Sequence, residues 1–210
     1  MNSDIELFQT INGFSLYIKN EYKSFGSFGV KLRKFKGLLD YLDENKITDV
    51  LIYGNPHSNY VSTYSTLLKF AKKTVHAIHY TKDPKLITAN SILSKSQANN
   101  IVNSQTKNNR EFYISEFKQK FPSGLILPEF GIHNSSLESL KSIWQELEDY
   151  EYIFLDLGTG FTALSAADFF NNSKTKLYGV CIGNYIQNMK KNLLDTAAQL
   201  GLDKIGRAHV

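Results

Sequence analysis

Apolar runs of strand length alternate with segments of helical period along most of this 210-residue chain, and the best-defined strands stop at a glycine. Residues 49–53 (DVLIY) read as a buried strand broken at Gly54. Residues 74–79, 100–103, 124–127, 152–157 and 177–182 read as further strands. Helical spacing fills the intervals: 35–44 with Leu38, Leu39 and Leu42, a helix capped by Ser58 and running to about 72, then 90–97, 111–121, 137–147, 162–170 and about 185–200. A short apolar-aromatic run at 15–19 precedes them, and 105–110 is a polar loop. Strands separated by helices imply a parallel sheet, so the fold class is α/β and ligands are expected outside the carboxyl ends of the strands.

The bulk properties narrow the function classes. Hydrophobic residues make up 42% and charged residues 21%, an ordinary balance for a globular chain with a sizeable core. The net charge of +4 is too small and dispersed to imply nucleic acid. The single cysteine, Cys181, cannot form an internal disulfide, which points to a reducing compartment. The first eleven residues carry Asp4 and Glu6 in place of an apolar signal core, and no run is long enough to span a membrane. A cytoplasmic location is expected. Residues 203–210 break the α/β pattern just after a helix and match an in-frame sequencing-adapter readthrough, so they are read as a non-native tail.

Three segments carry chemistry. In Gly29-Val30-Lys31-Leu32-Arg33-Lys34, cations crowd the start of a helix; neighbouring charge lowers a lysine's pKa and leaves a neutral amine able to form a Schiff base. A solvated basic face is the plainer alternative. In Gly54-Asn55-Pro56-His57-Ser58-Asn59 a strand breaks into a loop ending on a helix N-terminus, where backbone N–H groups, the Ser58 hydroxyl and the Asn59 amide can grip a carboxylate. An ordinary N-cap serine accounts for the same pattern, and His57 reads as a plain loop histidine. In Gly158-Thr159-Gly160-Phe161-Thr162 the glycines admit a phosphate to the backbone, with the Thr159 and Thr162 hydroxyls beside it. The run from Asp156 to Gly160 also mimics the first motif of S-adenosylmethionine methyltransferases, but that motif wants an acid after the next strand, where Cys181 stands.

Taken in order, these segments resemble the 1-aminocyclopropane-1-carboxylate deaminase / D-cysteine desulfhydrase family of pyridoxal-phosphate enzymes, with the tryptophan synthase β-like fold. Leu16-Tyr17-Ile18-Lys19-Asn20-Glu21 looks like the family's strand before the cofactor lysine, and residues 29–34 look like its Gly-Asn-Lys-x-Arg-Lys. Ser58-Asn59 matches its Ser-Asn pair, Pro128-Glu129-Phe130-Gly131 resembles Pro-Glu-Gly-Gly, and residues 158–162 resemble Gly-Ser-Gly-Gly-Thr. The chain departs from the pattern at Phe28, Val30, Phe130 and Phe161.

The resemblance implies pyridoxal 5'-phosphate as cofactor and Lys31 as its Schiff-base and proton-carrying lysine. It implies Asn59 on the cofactor's phenolic oxygen, Ser58 near the substrate carboxylate and the proton path, and Gly158, Thr159, Gly160 and Thr162 on the phosphate. The implied activity releases ammonia and a 2-oxo acid from a small amino acid; a degenerate or truncated relative is the alternative. It also implies a homodimer, a cofactor domain formed by 1–47 and 121–202 with a smaller α/β domain at 48–120, the cofactor between them, and a further C-terminal part carrying the partner of the pyridine nitrogen.

Overall fold

The computed structural model of the chain describes residues 3–23, 25–104, 107–181 and 186–202. The tail expected at 203–210 and the expected helix start at 185 lie outside the described residues. The chain divides into two compact units: the residues up to Lys34 join those from Leu137 onward, and Phe35–Ser136 form the other.

The unit at Phe35–Ser136 is built on a four-stranded parallel sheet. Strands β3 (Asp49–Gly54), β4 (Thr74–Tyr80), β5 (Asn100–Ser104) and β6 (Leu125–Leu127) lie in the order β5-β4-β3-β6. The central pair reads as near-continuous apolar sequence because parallel strands are covered on both faces. Val50 and Ile52 are fully buried, while Leu51 and Ile78 pack against Phe117 of α4 (Arg110–Lys120). Helix α1 (Val30–Glu44) contributes the buried Leu38 and Leu42, and α2 (Asn59–Phe70) the buried Tyr64 and Leu68. The expected limits of the smaller domain, 48–120, differ from this division. The three-residue β6 pairs with β3 through Val50, Leu51 and Ile52, and so little apolar sequence cannot announce its partner.

The other unit contains a parallel pair, β7 (Tyr152–Leu157) and β8 (Lys176–Cys181), joined through α6 (Phe161–Phe169) as a βαβ crossover. Helix α5 (Asn134–Gln145) supplies Trp144, whose indole N–H donates to Ser165 Oγ at 3.0 Å; that hydroxyl donates to the Leu137 carbonyl at 3.2 Å. Helix α7 (Ile186–Gln199) buries Met189 and Ala197. At the N-terminus β1 (Ile5–Ile11) and β2 (Phe14–Lys19) form an antiparallel hairpin. Only the second strand was expected, although Asn12-Gly13, both at positive φ, is the strongest short-range hairpin signal a sequence offers.

The departure at Phe130 has a visible consequence. Phe130 and Gly131 both sit in the left-handed region, at φ 67° and 70°. A Cβ on Gly131 would overlap the buried ring of Tyr64. Gly131→Ala is expected to cost about 1–3 kcal/mol through overpacking, read as a lowered urea midpoint.

Candidate active site

Lys31 lies in the first turn of α1 and is half-buried. Burial pulls its amine below the ordinary lysine value, and the carboxylate of Asp156 opposes that pull. Asp156 belongs to β7, two residues before Gly158, so the fold brings together a lysine and a glycine loop more than a hundred positions apart. Lys34, one turn later, is buried, and its Nζ lies 4.8 Å from the ring centroid of Phe161. Burial and the neighbouring Lys31 charge lower its amine to about 7, against the attraction of Asp156.

Between pH 7 and 10.5 the unfolded chain holds a proton on Lys34 that the folded chain has lost, so this group's contribution to stability rises with pH across that window. Lys34→Met is therefore expected to exceed the wild type in stability at pH 6, with the gap closing toward pH 10. Urea midpoints across that range measure it.

The loop after β7 has the geometry of an anion seat. Gly160 is the N-cap of α6 at φ 82°, with Leu193 so close that a Cβ would overlap it. Gly158 faces open space. Thr159 Oγ1 accepts from Phe161 N–H at 3.5 Å, and Thr162 stands half-buried in the first helical turn. The first N–H groups of a helix have no intrahelical partner and favour an anion. Phe161 is fully buried, so this departure from the family pattern leaves the loop itself glycine-lined. A buried depressed amine, a second lysine and a glycine-bounded helix start fit a phosphate-bearing aldehyde.

Arg33, from the same basic cluster, has a different task. Its guanidinium grips Glu21 bidentately at 2.7 and 3.0 Å and donates to Glu146 at 2.8 Å and Ser142 Oγ at 3.2 Å. Lys19 closes the network with ion pairs to Glu146 and Glu21.

Ser58 and Asn59 belong to the other unit. Ser58 is the N-cap of α2: its Oγ accepts from Val61 N–H at 3.2 Å. Asn59 is exposed, with Oδ1 accepting from Asn90 Nδ2 at 2.8 Å. Asn90, in the first turn of α3 (Ala89–Gln97), also donates to the His57 carbonyl at 3.0 Å and takes Ser62 Oγ at 3.2 Å. It anchors the whole loop, and nothing in the sequence signals an asparagine 31 positions away. The structure thus groups Lys31, Lys34 and residues 158–162 in one unit, and Ser58 and Asn59 in the other. Among the described residues no cluster of potential metal ligands occurs, and no helix is long and apolar enough to cross a membrane.

No family model and no curated protein matches the chain. Solved structures do. An ACC deaminase homologue aligns at 18% identity with a TM-score of 0.78, covering 100% of this chain and 69% of its own. Threonine deaminase isoform 2 from Solanum lycopersicum aligns at 19% identity and TM-score 0.65, covering 86% of this chain and 51% of its own. A pyridoxal 5'-phosphate-dependent aspartate racemase aligns at 14% identity and TM-score 0.58, covering 79% and 51%. The chain thus spans from about half to about two-thirds of the length of these structures. At such identities the likeness speaks to the backbone alone, and it is consistent with the parallel sheets described above: the chain has the α/β, tryptophan synthase β-like fold.

Proposed function

We propose that the chain belongs to a pyridoxal 5'-phosphate-dependent enzyme that releases ammonia and a 2-oxo acid from a small amino acid, of the 1-aminocyclopropane-1-carboxylate or D-cysteine type. The observation that carries this reading is the convergence on Asp156 of two lysines with lowered amines, beside a glycine loop that opens a helix. Two solved structures of like fold bear deaminase names, and a third is named for this cofactor.

Lys31 Nζ is the covalent attachment point. Once released, it accepts and returns the proton at the substrate's α-carbon, a task suited to an amine lowered toward neutrality. The backbone N–H groups of 158–162 and the Thr159 and Thr162 hydroxyls hold the phosphate, and the amine of Lys34, lowered to about 7 by burial, belongs to the same unit. Asn59 is assigned to the cofactor's phenolic oxygen and Ser58 to the substrate carboxylate, on the strength of their motif. The cofactor, when bound, supplies the electron sink that makes the α-carbon acidic.

We also assign a homodimeric assembly. Its support is the β1–β2 hairpin, which leaves Leu7, Phe8, Ile11 and Phe14 exposed, an apolar surface of the kind that partners cover.

The test is chemical. The protein is mixed with pyridoxal phosphate, reduced with borohydride and digested. The modified peptide is expected to carry the label on Lys31; a label confined to surface lysines overturns the assignment.

A further inference from the structure

The unit at Phe35–Ser136 holds a cavity of about 370 Å³ at the carboxyl ends of β4 and β5. In an open parallel α/β sheet these ends are where ligands bind. Its lining includes Pro56, His57, His79, Thr81, Lys95 and Asn103. Among the described residues that line it there is no carboxylate.

Two of these side chains are poised but unused. His79, near the end of β4, is 2% exposed, and among the described residues neither of its ring nitrogens has a hydrogen-bond partner. A buried polar ring without a partner costs stability, and such a cost is accepted where a ligand repays it. His57 Nε2 is likewise buried and unmatched, while Nδ1 lies 3.0 Å from Thr88 Oγ1. That hydroxyl already accepts from Ser91 N–H at 3.2 Å, so its own proton can go to Nδ1 and leave His57 Nε2–H as a donor. Lys95, exposed on α3, adds a cation at the rim.

We propose that this cavity binds a small oxyanion, a carboxylate or phosphate group, through Lys95 and the ring N–H donors of His57 and His79. Burial, followed by the nearby Lys95 and His57, lowers His79 to about 4. The ring is therefore neutral at pH 7 and offers one N–H. The inference stands apart from the cofactor assignment, since it uses neither Lys31 nor residues 158–162.

The full chain, labelled with ¹⁵N, is titrated at pH 7 and constant ionic strength with sodium phosphate and separately with sodium acetate, and the histidine ring nitrogens are followed. The His57 and His79 signals are expected to shift together and saturably, and the tighter of the two anions names the group. Lys95→Met, an exposed change that leaves the fold intact, is expected to weaken binding by about tenfold, the value of one charge-assisted hydrogen bond. No saturable shift with either anion overturns the site. So does a shift that Lys95→Met leaves unchanged. Phosphate that moves the amides of Gly158 and Gly160 while the two histidines stay still also overturns it, and would instead support the cofactor's phosphate seat.

Discussion

Lys31→Ala abolishes the borohydride-stable adduct with pyridoxal phosphate and lowers turnover of any amino-acid substrate by about 10²–10⁴-fold from its proton-transfer role alone. The expectation rests on where the amine sits. Burial lowers it, so the neutral, nucleophilic form is enriched, while Asp156 favours the charged form and limits that shift. The fold is expected to survive, because deleting a half-buried amine removes a desolvation cost as well as contacts. The single tryptophan, Trp144, is buried in the same unit, and its emission reports on that directly. An adduct that persists in Lys31→Ala but vanishes in Lys34→Ala would transfer the role to the more deeply buried amine.

Arg33→Met is expected to be the most destabilising single change, costing about 3–5 kcal/mol. Arg33 is 2% exposed and satisfies two carboxylates at once, and Lys19 alone cannot neutralise both Glu21 and Glu146 once it is gone. The penalty is that of a buried charge left without its partner. Arg33→Lys recovers only part of it, since an ammonium cannot reproduce the bidentate grip on Glu21. The pH dependence has a definite sign. Burial tends to raise the Glu146 carboxyl, but hydrogen bonds from Lys19 and Arg33 outweigh it and hold the group below its usual range. Its stabilisation is complete above the unfolded value of 4.5 and is lost as pH falls through the lower folded value. The gap between wild type and Arg33→Met therefore narrows in acid. Urea unfolding followed by Trp144 emission at pH 7 and pH 3 measures both effects.

These two residues stand two positions apart in one basic cluster, and they mark the limit of what the sequence discloses. The alternation of apolar runs and helical segments determined the α/β class and the parallel pairing, because burial on both faces demands continuous apolar strands wherever a strand lies in the middle of a sheet. The glycine at the end of a strand and the start of a helix was equally legible at 158–160, since Gly160 takes a backbone angle that other residues resist. The N-terminal hairpin is legible too, from Asn12-Gly13.

Which cation faces a carboxylate pair and which faces the glycine loop was not written in Lys31-Leu32-Arg33-Lys34. Consecutive helical residues point in different directions, and their environments come from Glu146 and Asp156, far along the chain. The same holds for Phe161, a departure from the resembled pattern that turns fully into the core. It holds for Asn90, which secures Asn59 from another helix, and for His79, whose buried unpaired ring only the packed sheet can create. Sequence periodicity records which residues avoid water. Only tertiary packing decides which charged and polar groups meet once they do.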